Sequence, residues 1–467
     1  MKIKTQLIFF KYFLFLLLLL PFCGCNAQSH KGSEQHEVLD SLFFTTIDSS
    51  YSFIQYDSNR FFFCGDSSRM LKFAEKFYSV LSTGKGHVSI MHIGASHVQG
   101  GTFPHQIRRN ILLGSHKAIN SDSYYPVAER GMLFPYSAAV KCNNPFDYKV
   151  TRTRALDLTR NVYKEPQAIL GLCGIAVTAS DSSAEIGISL SDPELSFPID
   201  TISLLGYSVG DVIPRIRVFD NGDSILIDPV EIDVQKRCYR YAVNVPQFSI
   251  VISCDSGQAF TLTGVYLGSD APGITVHSIG VNGASVADYL NKCPFLTTDL
   301  QMINPDLVIF GIGINDAAGP SFDSAAFRLR YVQLVDSIRN INPECAFVFI
   351  TNNDSFRGSG RSRVHNANGL QAREAFYRVA CQCGGVVWDQ FAVMGGYGSI
   401  RKWTQNELAQ RDLVHFTRNG YRLLGDLFSN AFFHAIGTLT GRISNNSKTN
   451  PQPSEKDDNE RHIYISY

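Results

Sequence analysis

The sequence predicts an α/β fold: a mostly parallel sheet between helices, with a β-sandwich inserted into it. Three observations carry this. Short apolar runs alternate with amphipathic stretches over 68–149 and again over 276–440, the pattern of strands joined by crossover helices. Residues 150–275 have another texture, with AEIGISL, DTISLLGY, RIRVF, SILIDPVEIDV and FTLTGVYL separated by Asp, Asn, Gly, Pro and Ser and no helical period, which indicates a sandwich. The 467 residues exceed one typical domain, and their 44% hydrophobic content suffices for a sizeable core.

The chain opens with an address label. Lys2, Lys4 and Lys11 precede YFLFLLLLLPF and then small residues, the order of a secretory signal over 1–27. Its apolar part is short for a membrane span, so export is expected. Phe22-Cys23-Gly24-Cys25 also resembles a lipobox with Cys25 as the lipidated residue, and cleavage after Ala27 is the alternative. Either route leads to the periplasm or outer membrane. Lys plus Arg and Asp plus Glu both number 42, which leaves no basic field for nucleic acid or anionic lipid. The 11 cysteines lack metal-ligand spacing, Cys381 and Cys383 included, so buried thiols and no metal are expected.

Residues 28–60 read as a tether or surface wrap. FFFCGDSSRMLKFAEKFYSVL contains a literal Gly65-Asp66-Ser67, but Ser67 or Ser68 stands where an N-cap belongs, ahead of Met70, Phe73, Phe77 and Leu81 on one helical face. The stretch HVSIMHIGASHVQGG follows. Val88, Ile90 and Ile93 form a buried strand that ends at Gly94, and Phe103, Ile107 and Ile111 recur at helical spacing beyond it. Ser96 therefore lies on a tight turn at the carboxyl edge of a sheet, where open α/β folds bind ligands, and is the candidate nucleophile. His92, inside the strand, reads as a satisfied core histidine.

Downstream, SIGVNGAS supplies Gly280 and Gly283 after a strand, PDLVIFGIGINDA ends a strand at Gly313, Asn315 and Asp316, and AAFRLRYVQLVDSIRNI forms a crossover helix. SFRGSGRSRVHNANG reads as a mobile loop near the carboxyl edge. A helix over 370–382, a strand at GVVWDQF and a helix after His415 complete the sheet, and 441–467 reads as a disordered tail. RDLVHFTRNGY places Asp412 three residues before His415. Taken singly, Gly283 is also a turn glycine, Asn315-Asp316 a helix cap and His415 a surface partner of Asp412.

Ser96, Gly283, Asn315 and His415 in this order, with Asp412 ahead of the histidine, resemble the SGNH/GDSL hydrolases. The block at Ser96 further resembles the GDSH-V/I-Q form of bacterial envelope carbohydrate esterases, among them peptidoglycan O-acetylesterases, and GMLFPY, NNPFDY and VHFTRNGY are similar to the same group. The resemblance spans most of 68–436, with Ala95 where the family has Asp. It implies an SGNH-type fold and a serine esterase that needs no cofactor. Ser96 would attack the ester carbonyl, His415 take its proton, Asp412 orient the imidazole, and the N–H groups of Ser96 and Gly283 with the Asn315 amide form the oxyanion hole. His97 would contact substrate. The implied partner is an acetylated cell-wall or other envelope glycan, held in part by the inserted sandwich. A glycan O-acyltransferase would use the same triad, and Ala95 is the one feature that suits a catalytically impaired glycan-binding relative.

Overall fold

A computed structural model of the protein describes residues 47, 50–118, 127–190, 199–220, 223–244, 247–269, 271–358 and 360–441. The expected signal, Cys25 and the tail beyond Gly441 lie outside them. Among the described residues no helix is long and apolar enough to cross a membrane.

The centre is a seven-stranded sheet in the order Phe61–Phe63, Val386–Trp388, Ala346–Ile350, Leu307–Gly311, His87–Gly94, Gly273–Gly280 and Val127–Glu129. Every pairing is parallel except that of the first strand. Successive residues of a strand face opposite sides, and this alternation sorts the core. Ile90, Ile309 and Val348 bury against the helices Ser68–Thr83, Thr102–Ala118 and Arg418–Leu439. Met91, Phe310 and Phe349 bury against the helices Ser324–Arg339 and Asn368–Cys383 on the other side. Phe103, Ile107 and Ile111 are all buried, as their spacing predicts. The sheet also begins before residue 68, because Phe63 pairs with Val386.

Two antiparallel sheets occupy the middle of the chain, one ordered from Asp223–Ile227 to Tyr148–Arg152, the other from Glu231–Asp233 to Asp157–Arg160. Ile186 and Ile250 of the first and Leu204 and Phe260 of the second belong to the same buried cluster as Phe310 and Tyr331. The result is a mixed α/β architecture with a continuous core. Buried ion pairs join its parts. Arg108, on the helix after Ser96, and Arg130 both donate to Asp147 Oδ2, at 2.7 and 3.1 Å. Burial raises the Asp147 carboxyl, but the two guanidinium groups outweigh it and hold it well below the usual range. Arg237 donates to Asp299 at 2.8 Å, and there burial wins and lifts the carboxyl to about 6.

Three expectations need correcting. Cys381 is not a free thiol, since it forms a disulfide with Cys64; among the described residues seven other cysteines are free, and all but Cys238 are buried. A partner 317 positions away leaves no local signature. The loop after Asp354 is a small antiparallel hairpin, Phe356–Arg357 against Val364–His365, tied by the Phe356 N–H to the Leu413 carbonyl. His92 is buried without a hydrogen-bond partner for either ring nitrogen among the described residues. It packs edge-on to Phe103, and burial pushes it down to about 3, so it stays neutral. The reading of 28–60 as a wrap fits its described part, where Ile54 is buried and the Gln55 N–H donates to Val393.

The disulfide closes a long loop, so its loss relaxes the unfolded chain most. Reduction, or Cys64→Ser with Cys381→Ser, is expected to lower unfolding stability by about 2–4 kcal/mol. Urea midpoints with and without reductant measure this, and coincident curves would refute it.

Candidate active site

Three glycines lie side by side where the central strands end. Gly94 pairs with Gly280 on one side and Gly311 on the other. A Cβ at Gly94 would stand 2.1 Å from Val98 Cγ2, and one at Gly280 would stand 2.5 Å from the Ala95 carbonyl oxygen. The bare strand ends let the chain turn at Ala95 and lay the short helix Ser96–Gln99 across them. Tyr289 donates to the Gly94 carbonyl at 3.0 Å and Tyr136 to that of Gly280 at 2.7 Å, which braces the turn. Ala95 is fully buried, and its carbonyl accepts from Val98 and Gln99, so backbone bonds hold the turn without the family's carboxylate.

His415 comes from the loop before the helix Arg418–Leu439, whose N-cap Thr417 accepts from Gly420. Asp412 Oδ1 accepts the N–H groups of Val414 and His415, each at 3.0 Å, which requires a tight turn through Leu413 at φ 61°. Asn353 donates to the Val414 carbonyl at 3.0 Å. His415 Nδ1 donates to Asp412 Oδ2 at 2.7 Å, and Ser96 Oγ lies 2.9 Å from His415 Nε2. An ionised carboxylate only accepts, so the Nδ1 proton is fixed there and Nε2 is left to accept from the serine hydroxyl. Burial raises Asp412, yet the bonds from the His415 ring and the two N–H groups outweigh it and lower the carboxyl.

Asn315 follows the strand Leu307–Gly311, and its Nδ2 donates to the Ala284 carbonyl at 2.9 Å. An amide nitrogen has two hydrogens, so one remains to meet a ligand. Gly283 sits in the adjoining loop at φ 87°, in the left-handed region that favours glycine. Residues remote in sequence thus meet: Ser96, His415 and Asp412 form one hydrogen-bonded chain, and Asn315 braces the loop that holds Gly283. His97 pairs through Nδ1 with the Tyr421 hydroxyl at 2.8 Å, and its ring lies 5.3 Å from that of His415. Its other nitrogen is buried and unpartnered among the described residues, and burial first, then His415, pushes it down to about 3. Where the sequence expects a substrate contact, the structure has a neutral ring packed beside His415.

Gly65-Asp66-Ser67 lies at the opposite edge, because Phe63 pairs with Val386 at the start of its strand. Ser67 is the N-cap of the helix Ser68–Thr83, but the bond there comes from Asp66, whose Oδ1 accepts the Ser68 N–H at 2.9 Å. Among the described residues no group of three or more His, Cys, Asp or Glu could hold a metal.

The family model for GDSL-like lipases and acylhydrolases matches residues 257–423, which include Gly283, Asn315, Asp412 and His415 and begin downstream of Ser96. Over residues 257–423 the chain matches a GDSL-type hydrolase domain. A solved peptidoglycan O-acetylesterase is similar to the whole arrangement, with 19% identity and a TM-score of 0.64 over 81% of this chain and 99% of that one. At that identity the likeness shows a shared fold. An acetyl xylan esterase (18% identity, 34% of this chain and 80% of that one, TM-score 0.28) and a family two carbohydrate esterase from Cellvibrio japonicus (10%, 62% and 99%, 0.26) align too loosely to bear on it. No curated protein matches the sequence.

The geometry around Ser96, Asp412 and Asp316 yields two expectations. Asp412→Asn should lower kcat about a hundred- to ten-thousand-fold with a small change in KM, because the amide favours the wrong tautomer; an unchanged kcat would remove Asp412 from the site. Asp316 accepts from the Val286 N–H, yet burial lifts its carboxyl from 3.8 to about 7. The folded chain then keeps a proton that the unfolded chain has lost, so stability should fall as pH rises across that window. Asp316→Asn should flatten the change, and equal shifts of the urea midpoint between about pH 5 and pH 8 in both proteins would contradict this.

Proposed function

We propose that the protein is an exported serine esterase that removes O-acetyl groups from a cell-wall or other envelope glycan. The observation that carries this is the unbroken chain from Ser96 Oγ through His415 to Asp412, at 2.9 and 2.7 Å; the Ser96 N–H, the Gly283 N–H and the free hydrogen of Asn315 Nδ2 would supply the oxyanion hole. His415 takes the serine proton as Oγ attacks the acetyl carbon, and Asp412 stabilises the imidazolium that forms. The carbonyl oxygen gains charge and is met by the three donors. His415 then protonates the departing sugar oxygen, the acetyl group remains on Ser96, and water attacks by the same route to release acetate.

The glycan assignment draws on the resemblance of the Ser96 block and on the overall likeness to a peptidoglycan O-acetylesterase. We take the two antiparallel sheets as the inserted β-sandwich, which would help to hold the glycan. Their turn at Val162 and Tyr163 borders the site, since a Cβ at Gly283 would stand 3.8 Å from Val162, and Tyr163 is 38% exposed. An exposed aromatic ring next to Val162 suits a sugar face. Export agrees with the Cys64–Cys381 disulfide, a bond that persists in oxidising compartments.

Purified protein should release acetate from O-acetylated wall polysaccharide, and Ser96→Ala should reduce this to background. Ala95→Asp should change stability more than kcat, because the buried turn already has its backbone bonds. Wild type inert on every acetylated glycan and small ester, with Ala95→Asp gaining Ser96-dependent turnover, would overturn the esterase reading.

A further inference from the structure

The loop that presents Gly283 is held at Asn282 from two directions. Gln99, buried on the helix that carries Ser96, accepts the Asn282 N–H through Oε1 at 2.7 Å. Arg160, at the end of the antiparallel strand Asp157–Arg160, donates from its guanidinium to the Asn282 carbonyl. That carbonyl and the N–H of Gly283 belong to one planar trans peptide and point in opposite directions. Whatever fixes the oxygen therefore aims the N–H.

Gly283 has no side chain of its own to pin that peptide, and its φ of 87° belongs to the range where glycine turns freely. Arg160 makes no ion pair among the described residues, so its charge is not spent on a carboxylate. A cation on a carbonyl also polarises the whole peptide and strengthens the N–H at its other end as a donor. A lysine would keep the charge but not the planar guanidinium, and a neutral donor would lose the charge.

We propose that Arg160 is a positioning residue of the oxyanion hole: through the Asn282 carbonyl it directs and polarises the Gly283 N–H, while Gln99 fixes the preceding peptide. The middle of the chain would thus take part in turnover without touching the reacting atoms. The catalytic consequence rests on the esterase reading above; the clamp itself does not.

Arg160→Met should lower kcat on an acetyl ester about 10- to 100-fold with KM nearly unchanged, somewhat less than deletion of an oxyanion donor. Affinity for an alkyl boronic acid, which forms a tetrahedral adduct with the serine, should fall by a similar factor. Arg160→Lys should recover part of both. Gln99→Glu, which keeps an acceptor, should retain more kcat than Gln99→Met. Thermal melting identifies a variant that fails to fold, and the lysine and glutamate variants then decide. An unchanged kcat in Arg160→Met would overturn the proposal, as would a rise in KM with boronate affinity preserved, which would make Arg160 a substrate contact. The Gly283 amide resonance, followed in glycine-labelled protein, should move in Arg160→Met whether or not the protein turns over an ester. Wild type without Ser96-dependent hydrolysis sinks the esterase reading; an unmoved Gly283 amide sinks the clamp.

Discussion

Everything at the site depends on the absence of side chains at three adjacent strand ends. Gly94, Gly280 and Gly311 make a flat ledge on which Ala95 and the helix Ser96–Gln99 rest, with no space for a Cβ beneath them. A methyl group at Gly94 would meet both Val98 and the Gly311 carbonyl, so the nucleophile would have to rise from the sheet. His415 is fixed independently by its own tight loop, and a hydrogen bond of 2.9 Å tolerates little displacement of either partner. The ledge sets the height at which serine and histidine meet.

The core exhibits a second dependence. Alternation along the central strands sends Ile90 and Ile309 to one set of helices and Met91 and Phe310 to another, and the second face merges with the antiparallel sheets. Those sheets are coupled to the α/β layers by apolar packing and by Arg108, Arg130 and Arg237 reaching buried carboxylates. Breaking a buried pair leaves an uncompensated charge and costs about 3–5 kcal/mol, so the layers do not slide past one another cheaply. A loop such as Val281–Ala284, bounded by both, inherits that rigidity.

Much of this was legible in the sequence because it is local. Period-two and helical spacing located the strands and helices, the glycine after Ile93 marked the turn, and Asp412 lies only three residues from His415. The order of Ser96, Gly283, Asn315 and His415 was legible through its resemblance to the SGNH/GDSL hydrolases, not through the spacing of the strands. What could not be read depends on distance in sequence or on surroundings. The partner of Cys64 is 317 residues away, Arg160 meets Asn282 across 122 residues, and the hairpin after Asp354 is held by a carbonyl of the His415 loop. His92 and His97 carry the same side chain as His415, and only the enclosure around each one makes it a neutral packed ring. Ser67 shows the reverse case, a motif complete in letters and placed at the wrong edge.

The covalent link between Cys64 and Cys381 has a topological side. Ser96, Gly283, Asn315 and both antiparallel sheets lie inside the ring it closes, while Asp412 and His415 lie on the segment that leaves it. A single proteolytic cut in any surface loop between those cysteines would leave the two pieces joined. The nucleophile and its base would remain parts of one molecule, and the severed chain ends would stay close enough for the packed core to keep its shape.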